Sequence, residues 1–167
     1  VYVARNPKDV AVSWYHHHLN IHNWTSGNRE DLINAIVADK MLYSPMNDHI
    51  IKFWEIRNEP NIIFLFFEDM KRDLAGVVNK VSKFLEKSFS KEEIEELCDH
   101  LSFNKMKDNK AVNKSDILQM LNLIPGREAN DFNFIRKGKV GSYKDELTSE
   151  ESELLQSYLN NIDSDIT

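Results

Sequence analysis

Two short apolar runs constrain this chain more than any other feature. Val1-Tyr2-Val3-Ala4 is β-branched and aromatic, the composition of a strand. Ile62-Ile63-Phe64-Leu65-Phe66 is continuously apolar, the pattern of a strand covered on both faces. Strands of that kind belong to parallel sheets, and the stretches around them read as helices. The expected fold class is therefore α/β, a parallel sheet carrying a large share of helix.

The helical signals are local and legible. Asn6 is a good N-cap, Pro7 suits the first helical position because its missing N–H has no partner there, and Asp9 favours the first turn. That helix is expected to run to about His18, with a loop over 20–28. Helices are predicted over 30–40 and 47–58, the second with Ile50, Ile51, Phe53 and Trp54 on a broad apolar face. Glu59-Pro60-Asn61 reads as a turn. Further helices are expected over 74–85 and 91–100, the latter opened by a capping box of Ser90 and Glu93. From 104 to 143 the chain becomes polar and rich in Lys and Asn, which reads as a long loop. A last helix is predicted over 148–160, with Glu150, Glu151 and Glu153 near its start.

Bulk properties narrow the function classes. The 167 residues suit one domain. A formal net charge of −6 argues against binding nucleic acid through its phosphate backbone. Any anion held here must be held by a local cluster of cations and backbone N–H groups. No apolar run approaches the roughly 18 residues of a membrane span, so no membrane association is expected. Cys98 is the single cysteine, which fits a reducing compartment. The chain opens on a strand residue rather than Met, and is expected to be part of a longer protein.

Two places could hold an anion. Arg5 follows the first strand and precedes a helix N-terminus, the position where open α/β sheets bind ligands. Its planar guanidinium can grip a phosphate with two bonds, and Ser13 lies two turns further along the same helix. The plainer alternative pairs Arg5 with Asp9 and leaves Ser13 buried on its own backbone. The second place is Arg136-Lys137-Gly138-Lys139-Val140-Gly141, where two glycines allow successive N–H groups to point one way. A solvated basic loop is the alternative there. No P-loop signature occurs. His16-His17-His18 cannot close on one ion, because adjacent helical side chains diverge by about 100°, and no metal is expected. Phe67, Phe103 and Phe134 lie beside polar or basic residues, where a ring either stacks on a base or packs in the core.

Taken together, these segments resemble the cytosolic sulfotransferases, which move a sulfuryl group from 3′-phosphoadenosine 5′-phosphosulfate (PAPS) to a hydroxyl or amine. The opening Tyr2-Val3-Ala4-Arg5-Asn6-Pro7-Lys8-Asp9-Val10-Ala11-Val12-Ser13 is similar to the family's strand–helix motif. So are Phe66-Phe67-Glu68-Asp69-Met70, Ser102-Phe103-x-x-Met106 and Arg136-Lys137-Gly138-x-x-Gly141. The resemblance implies that residues 1–167 form the C-terminal part of one P-loop-like sulfotransferase domain. It implies that Arg5, Ser13, Arg136, Lys137 and Gly138 hold the 3′-phosphate, and that Phe67, Ser102, Phe103, Met106 and Phe134 border the nucleotide. Tyr43 and His17 match positions that line the acceptor pocket, and Lys144, Thr148 and Glu153 match a short dimer motif.

By the same resemblance the co-substrate is PAPS, the product nucleotide is adenosine 3′,5′-bisphosphate, the acceptor is a small molecule, a homodimer is possible and the location is cytoplasmic. The family's phosphosulfate-loop Lys and base His are expected upstream of Val1, so no residue of this chain is assigned a catalytic role. Phe67 stands where relatives carry Tyr, and Gly141-Ser142-Tyr143-Lys144 replaces G-D-W-K. Leu147 and Ser149 replace the dimer motif's Phe and Val. A non-catalytic relative that binds nucleotide or only dimerises is the second reading.

Overall fold

The computed structural model of the chain describes residues 1–22, 28–123 and 132–166. Strand β1 (Tyr2–Ala4) pairs in parallel with β2 (Phe64–Phe66), Tyr2 opposite Phe64 and Ala4 opposite Phe66. Ala4, Phe64 and Leu65 are buried, as the apolar runs require. Helix α1 (Pro7–His17) leaves β1 through the expected cap, with Asn6 Oδ1 accepting from the Lys8 N–H at 3.0 Å. A five-residue π-helical turn (His18–His22) follows where a loop was expected from 20 onward. Asn20 Nδ2 donates to the His16 carbonyl at 2.7 Å, which satisfies a group the altered winding releases. The rest of that expected loop, 23–27, lies outside the described residues.

Helices α2 (Arg29–Val37) and α3 (Met46–Glu55) occupy the predicted places. After β2 come α4 (Phe67–Arg72), α5 (Leu74–Phe84) and α6 (Lys91–His100), the last with its full Ser90–Glu93 capping box. The expected long loop is corrected: 103–122 holds three short helices, α7 (Phe103–Asp108), α8 (Lys110–Asn113) and α9 (Ser115–Asn122). Each break has a local cause. Asn109 caps α8 by accepting from the Ala111 N–H, and Lys114 turns left-handed at φ 57°. Pieces this short fall below the window in which helical periodicity can be read. Residues 124–131 lie outside the described residues.

The chain then passes a 3₁₀ turn (Ser142–Asp145) into α10 (Ser149–Ile166). Leu155, Tyr158 and Leu159 of α10 pack with Leu32, Ile33 and Ile36 of α2 and Ala11 of α1, forming the main core. Burying side chains of that size stabilises by roughly 1.5–3 kcal/mol each. Asn47 of α3 donates to the Tyr158 carbonyl at 2.9 Å, joining α3 to the same core. Phe53 of α3 stacks on Tyr2 with ring centroids 4.4 Å apart, so α3 also closes over the sheet.

Candidate anion-binding cleft

The end of β1, one face of α1 from Val10 to His17 and the 136–142 segment meet around one cleft of about 1070 Å³. Arg5, Ser13, Phe67, Arg136, Lys137 and Gly138 line it. Phe134, His17 and Tyr43 also line it, as do Tyr2 and His49. Two stretches more than a hundred positions apart in sequence therefore face one space.

Arg5 joins them directly. Its Nη2 donates to the Lys139 carbonyl at 3.1 Å, and lies 3.7 Å from Asp9 Oδ2. The guanidinium carbon sits 4.4 Å from the centre of the Phe67 ring, which fixes its plane from below. Arg5 Nε is buried without an acceptor among the described residues. An orphaned guanidinium N–H beside an open cleft fits an anionic ligand. Pairing with Asp9 and facing the cleft thus coexist. Ser13 is exposed on the cleft wall rather than buried on its own backbone.

Asp9 does more than favour the helix dipole. Its side chain is fully buried, and it accepts from the Gly141 N–H at 2.7 Å, the Tyr143 N–H at 3.0 Å and the Ser142 hydroxyl at 3.3 Å. One carboxylate therefore clamps the glycine turn onto α1. The turn needs its glycines: Gly138 sits at φ 58° and Gly141 at φ 74°, where side chains with a Cβ are strained. A Cβ on Gly138 would also fall 2.4 Å from Cδ2 of Phe103. Phe103 thus presses on the turn from behind, while Ser102 accepts from the Lys105 N–H as the cap of α7. Ser102, Phe103 and Met106 are not on the cleft wall.

The helix N-terminus was the other expected anion donor. Two of its N–H groups are already engaged, since the Asn6 N–H donates to Glu68 Oε1 at 2.8 Å and the Lys8 N–H to Asn6 Oδ1 at 3.0 Å. Available positive charge comes instead from side chains. Arg136 Nη1 and Lys137 Nζ each lie 2.6 Å from Glu146 Oε1, and His16 Nε2 lies 2.6 Å from Oε2. Burial alone would raise the Glu146 carboxyl, but hydrogen bonds from His16, Lys137 and Arg136 outweigh it and hold the group down at about 2.

The three adjacent histidines take different partners, although the His17 and His18 rings meet edge to face at 6.3 Å. His16 meets Glu146, His17 meets the Phe134 ring edge at 6.0 Å, and His18 is buried beside Trp14. Elsewhere on the cleft the Tyr2 hydroxyl lies 3.0 Å from His49 Nδ1, and burial raises the Tyr2 phenol. Tyr43 is 80 % exposed on a left-handed backbone with φ 69°. Of the motif at the last helix, Lys144 and Glu153 are exposed. Thr148 caps α10 by accepting from the Glu151 N–H at 3.2 Å, while Glu151 accepts in return from the Thr148 N–H at 2.8 Å.

Sequence reading missed Asp9 as a clamp, Glu146 altogether, and the pairing of His16 with it. An acid four positions after Arg5 and the acidic pair Asp145-Glu146 just past the basic glycine turn were the available signals.

An α/β layer with a basic glycine turn folded against the first strand–helix junction is an arrangement suited to holding an anion. The family model described as the sulfotransferase domain matches residues 1–162, and the chain belongs to that family. It is 36 % identical over 153 residues to luciferin sulfotransferase of Photinus pyralis, covering 90 % of this chain and 40 % of the relative. It is 38 % identical over 154 residues to amine sulfotransferase of Oryctolagus cuniculus, covering 92 % of this chain and 50 % of the relative. Retinol dehydratase solved with androsterone and the inactive cofactor PAP superimposes with a TM-score of 0.87 at 34 % identity, covering 96 % of this chain and 46 % of that one. The chain therefore spans about half the length of the relatives it matches. No described helix is long and apolar enough to cross a membrane.

Proposed function

We propose that this chain supplies the donor-nucleotide side of a sulfotransferase that passes a sulfuryl group from PAPS to a hydroxyl or amine of a small molecule. The observation that carries this reading is the meeting of Arg5 with the glycine turn, Nη2 to the Lys139 carbonyl at 3.1 Å, on the wall of one large cleft. Arg5, Ser13, Arg136, Lys137 and Gly138 hold the 3′-phosphate. Phe67 and Phe134 flank the nucleotide from the cleft, and Ser102, Phe103 and Met106, which lie off the cleft wall, support that border from behind, Phe103 through the turn at Gly138. His17 and Tyr43 face the acceptor. Relatives solved with PAP, with retinol or with androsterone support both halves of the assignment.

The bound donor supplies the electrophilic sulfur and the leaving nucleotide. What these residues contribute is grip and orientation: cations and N–H groups hold the nucleotide's negative charge where solvent would otherwise screen it. No group here is assigned to take the acceptor's proton, so these 167 residues by themselves are expected to give no turnover. Residues 1–167 belong to a single domain of a cytoplasmic enzyme, and Lys144 and Glu153 offer an exposed surface for a homodimer contact.

Titration calorimetry with adenosine 3′,5′-bisphosphate on the full-length protein tests the donor assignment. Arg5→Ala removes a charge-assisted contact worth about 1.5–3 kcal/mol, so affinity is expected to fall about tenfold to a hundredfold. An unchanged affinity refutes the role of Arg5.

A further inference from the structure

Glu146 is absent from the cleft wall, yet its carboxylate is the common partner of three residues that form that wall. Oε1 meets Arg136 Nη1 and Lys137 Nζ at 2.6 Å each, and Oε2 meets His16 Nε2 at 2.6 Å. All three partners line the cleft and Glu146 does not, so the carboxylate lies behind the cations rather than in front of them.

The donor count agrees with that placement. Arginine carries five N–H donors and lysine three, and one from each goes to Glu146. The remaining donors can meet a ligand without breaking either bond. Long, flexible basic side chains lose rotamer freedom when they grip an anion, and a fixed partner removes that freedom beforehand. Glu146 is itself fixed, because it follows the 3₁₀ turn whose N–H groups Asp9 clamps. A carboxyl held down at about 2 stays ionised across the neutral range.

We propose that Glu146 is a positioning residue for the anion site: it holds Arg136 and Lys137 from behind, aimed into the cleft, and ties them through His16 to α1. This rests on the cleft being the donor site. A carboxylate in front of the cations would have the opposite effect, competing with the ligand, so the sign of one substitution separates the two arrangements.

The test titrates adenosine 3′,5′-bisphosphate into the full-length wild type, Glu146→Gln, Glu146→Asp and Arg5→Ala, with melting temperature recorded for each. Glu146→Gln is expected to weaken binding about tenfold, the lower end of what losing a supporting hydrogen-bond partner costs at metal sites. Glu146→Asp keeps the charge but is one methylene shorter, and an intermediate loss is expected. Should Glu146→Gln fail to fold, Glu146→Asp carries the test. In turnover, the KM for the donor is expected to rise while that for the acceptor does not.

Tighter binding by Glu146→Gln overturns the inference and makes the carboxylate a competitor. Unchanged affinity with a lowered melting temperature also overturns it, leaving Glu146 a prop of the fold alone. If wild type does not bind, or Arg5→Ala binds as wild type does, the donor-site reading falls and this inference with it. If Arg5→Ala weakens binding and Glu146→Gln does not, only the positioning role falls.

Discussion

The two walls of the cleft are built in different ways. The wall with Arg5, Arg136 and Lys137 is knotted together by charged hydrogen bonds from groups behind it, Asp9 on one side and Glu146 on the other. Tyr43, elsewhere on the cleft lining, is 80 % exposed on a left-handed backbone. A wall tied through buried charge can keep a fixed geometry for an invariant ligand. A wall of exposed side chains can change residue by residue at little cost to the fold. That contrast is what the proposed function, with one donor and a selectable acceptor, requires.

The contrast can be broken hardest at Asp9. Asp9→Ala strips three hydrogen bonds and an ion pair from a buried position, leaving the Gly141 and Tyr143 N–H groups unanswered. Breaking a buried charged contact typically costs about 3–5 kcal/mol, and a loss near that size is expected in denaturant unfolding. A loss below about 1 kcal/mol would mean the turn does not depend on this clamp. Gly138→Ala comes next. A left-handed backbone costs an L-residue about 1–2 kcal/mol, and the added Cβ must also push Phe103 aside. Lowered stability together with weaker nucleotide binding is the expected outcome, read by unfolding and calorimetry.

Acid titration sharpens the same contrast through Glu146. Its folded value is depressed from 4.5 to about 2, so the unfolded chain binds the proton more tightly. Its contribution to stability is therefore complete above about 4.5 and is lost as pH falls toward about 2. Stability of the wild type should fall more steeply across that window than stability of Glu146→Gln, measured by unfolding at successive pH values. Equal slopes would contradict the ion cluster. The smallest effect is expected at Tyr43. Tyr43→Ala should change stability by no more than about 0.5 kcal/mol, as exposed substitutions do, while altering the KM for acceptors. A large loss of stability there would erase the difference between the walls.

What could be read in advance was whatever is written locally. Asn6-Pro7, the Ser90–Glu93 box and the apolar run ending at Phe66 each announce their element within a few residues, and those elements lie where expected. Helices α7 to α9 were not legible, because each is short and their Lys- and Asn-rich composition hides the apolar spacing. The residues lining the cleft were legible as chemical types: a guanidinium beside a strand end and a basic turn with two glycines. Their supports were not. Asp9 meets partners 132 to 134 positions away and Glu146 meets His16 across 130, and no local pattern encodes such distances.

The proposed function has Arg5 and the 136–138 segment grip one and the same phosphate group. The most direct measurement compares adenosine 3′,5′-bisphosphate with adenosine 5′-monophosphate, which lacks the 3′-phosphate, on the wild type, Arg5→Ala and Arg136→Ala. The wild type should strongly prefer the bisphosphate, and either substitution should remove most of that preference by weakening the bisphosphate while leaving the monophosphate nearly unchanged. A preference that survives both substitutions, or monophosphate binding that falls in parallel, would contradict a shared 3′-phosphate grip.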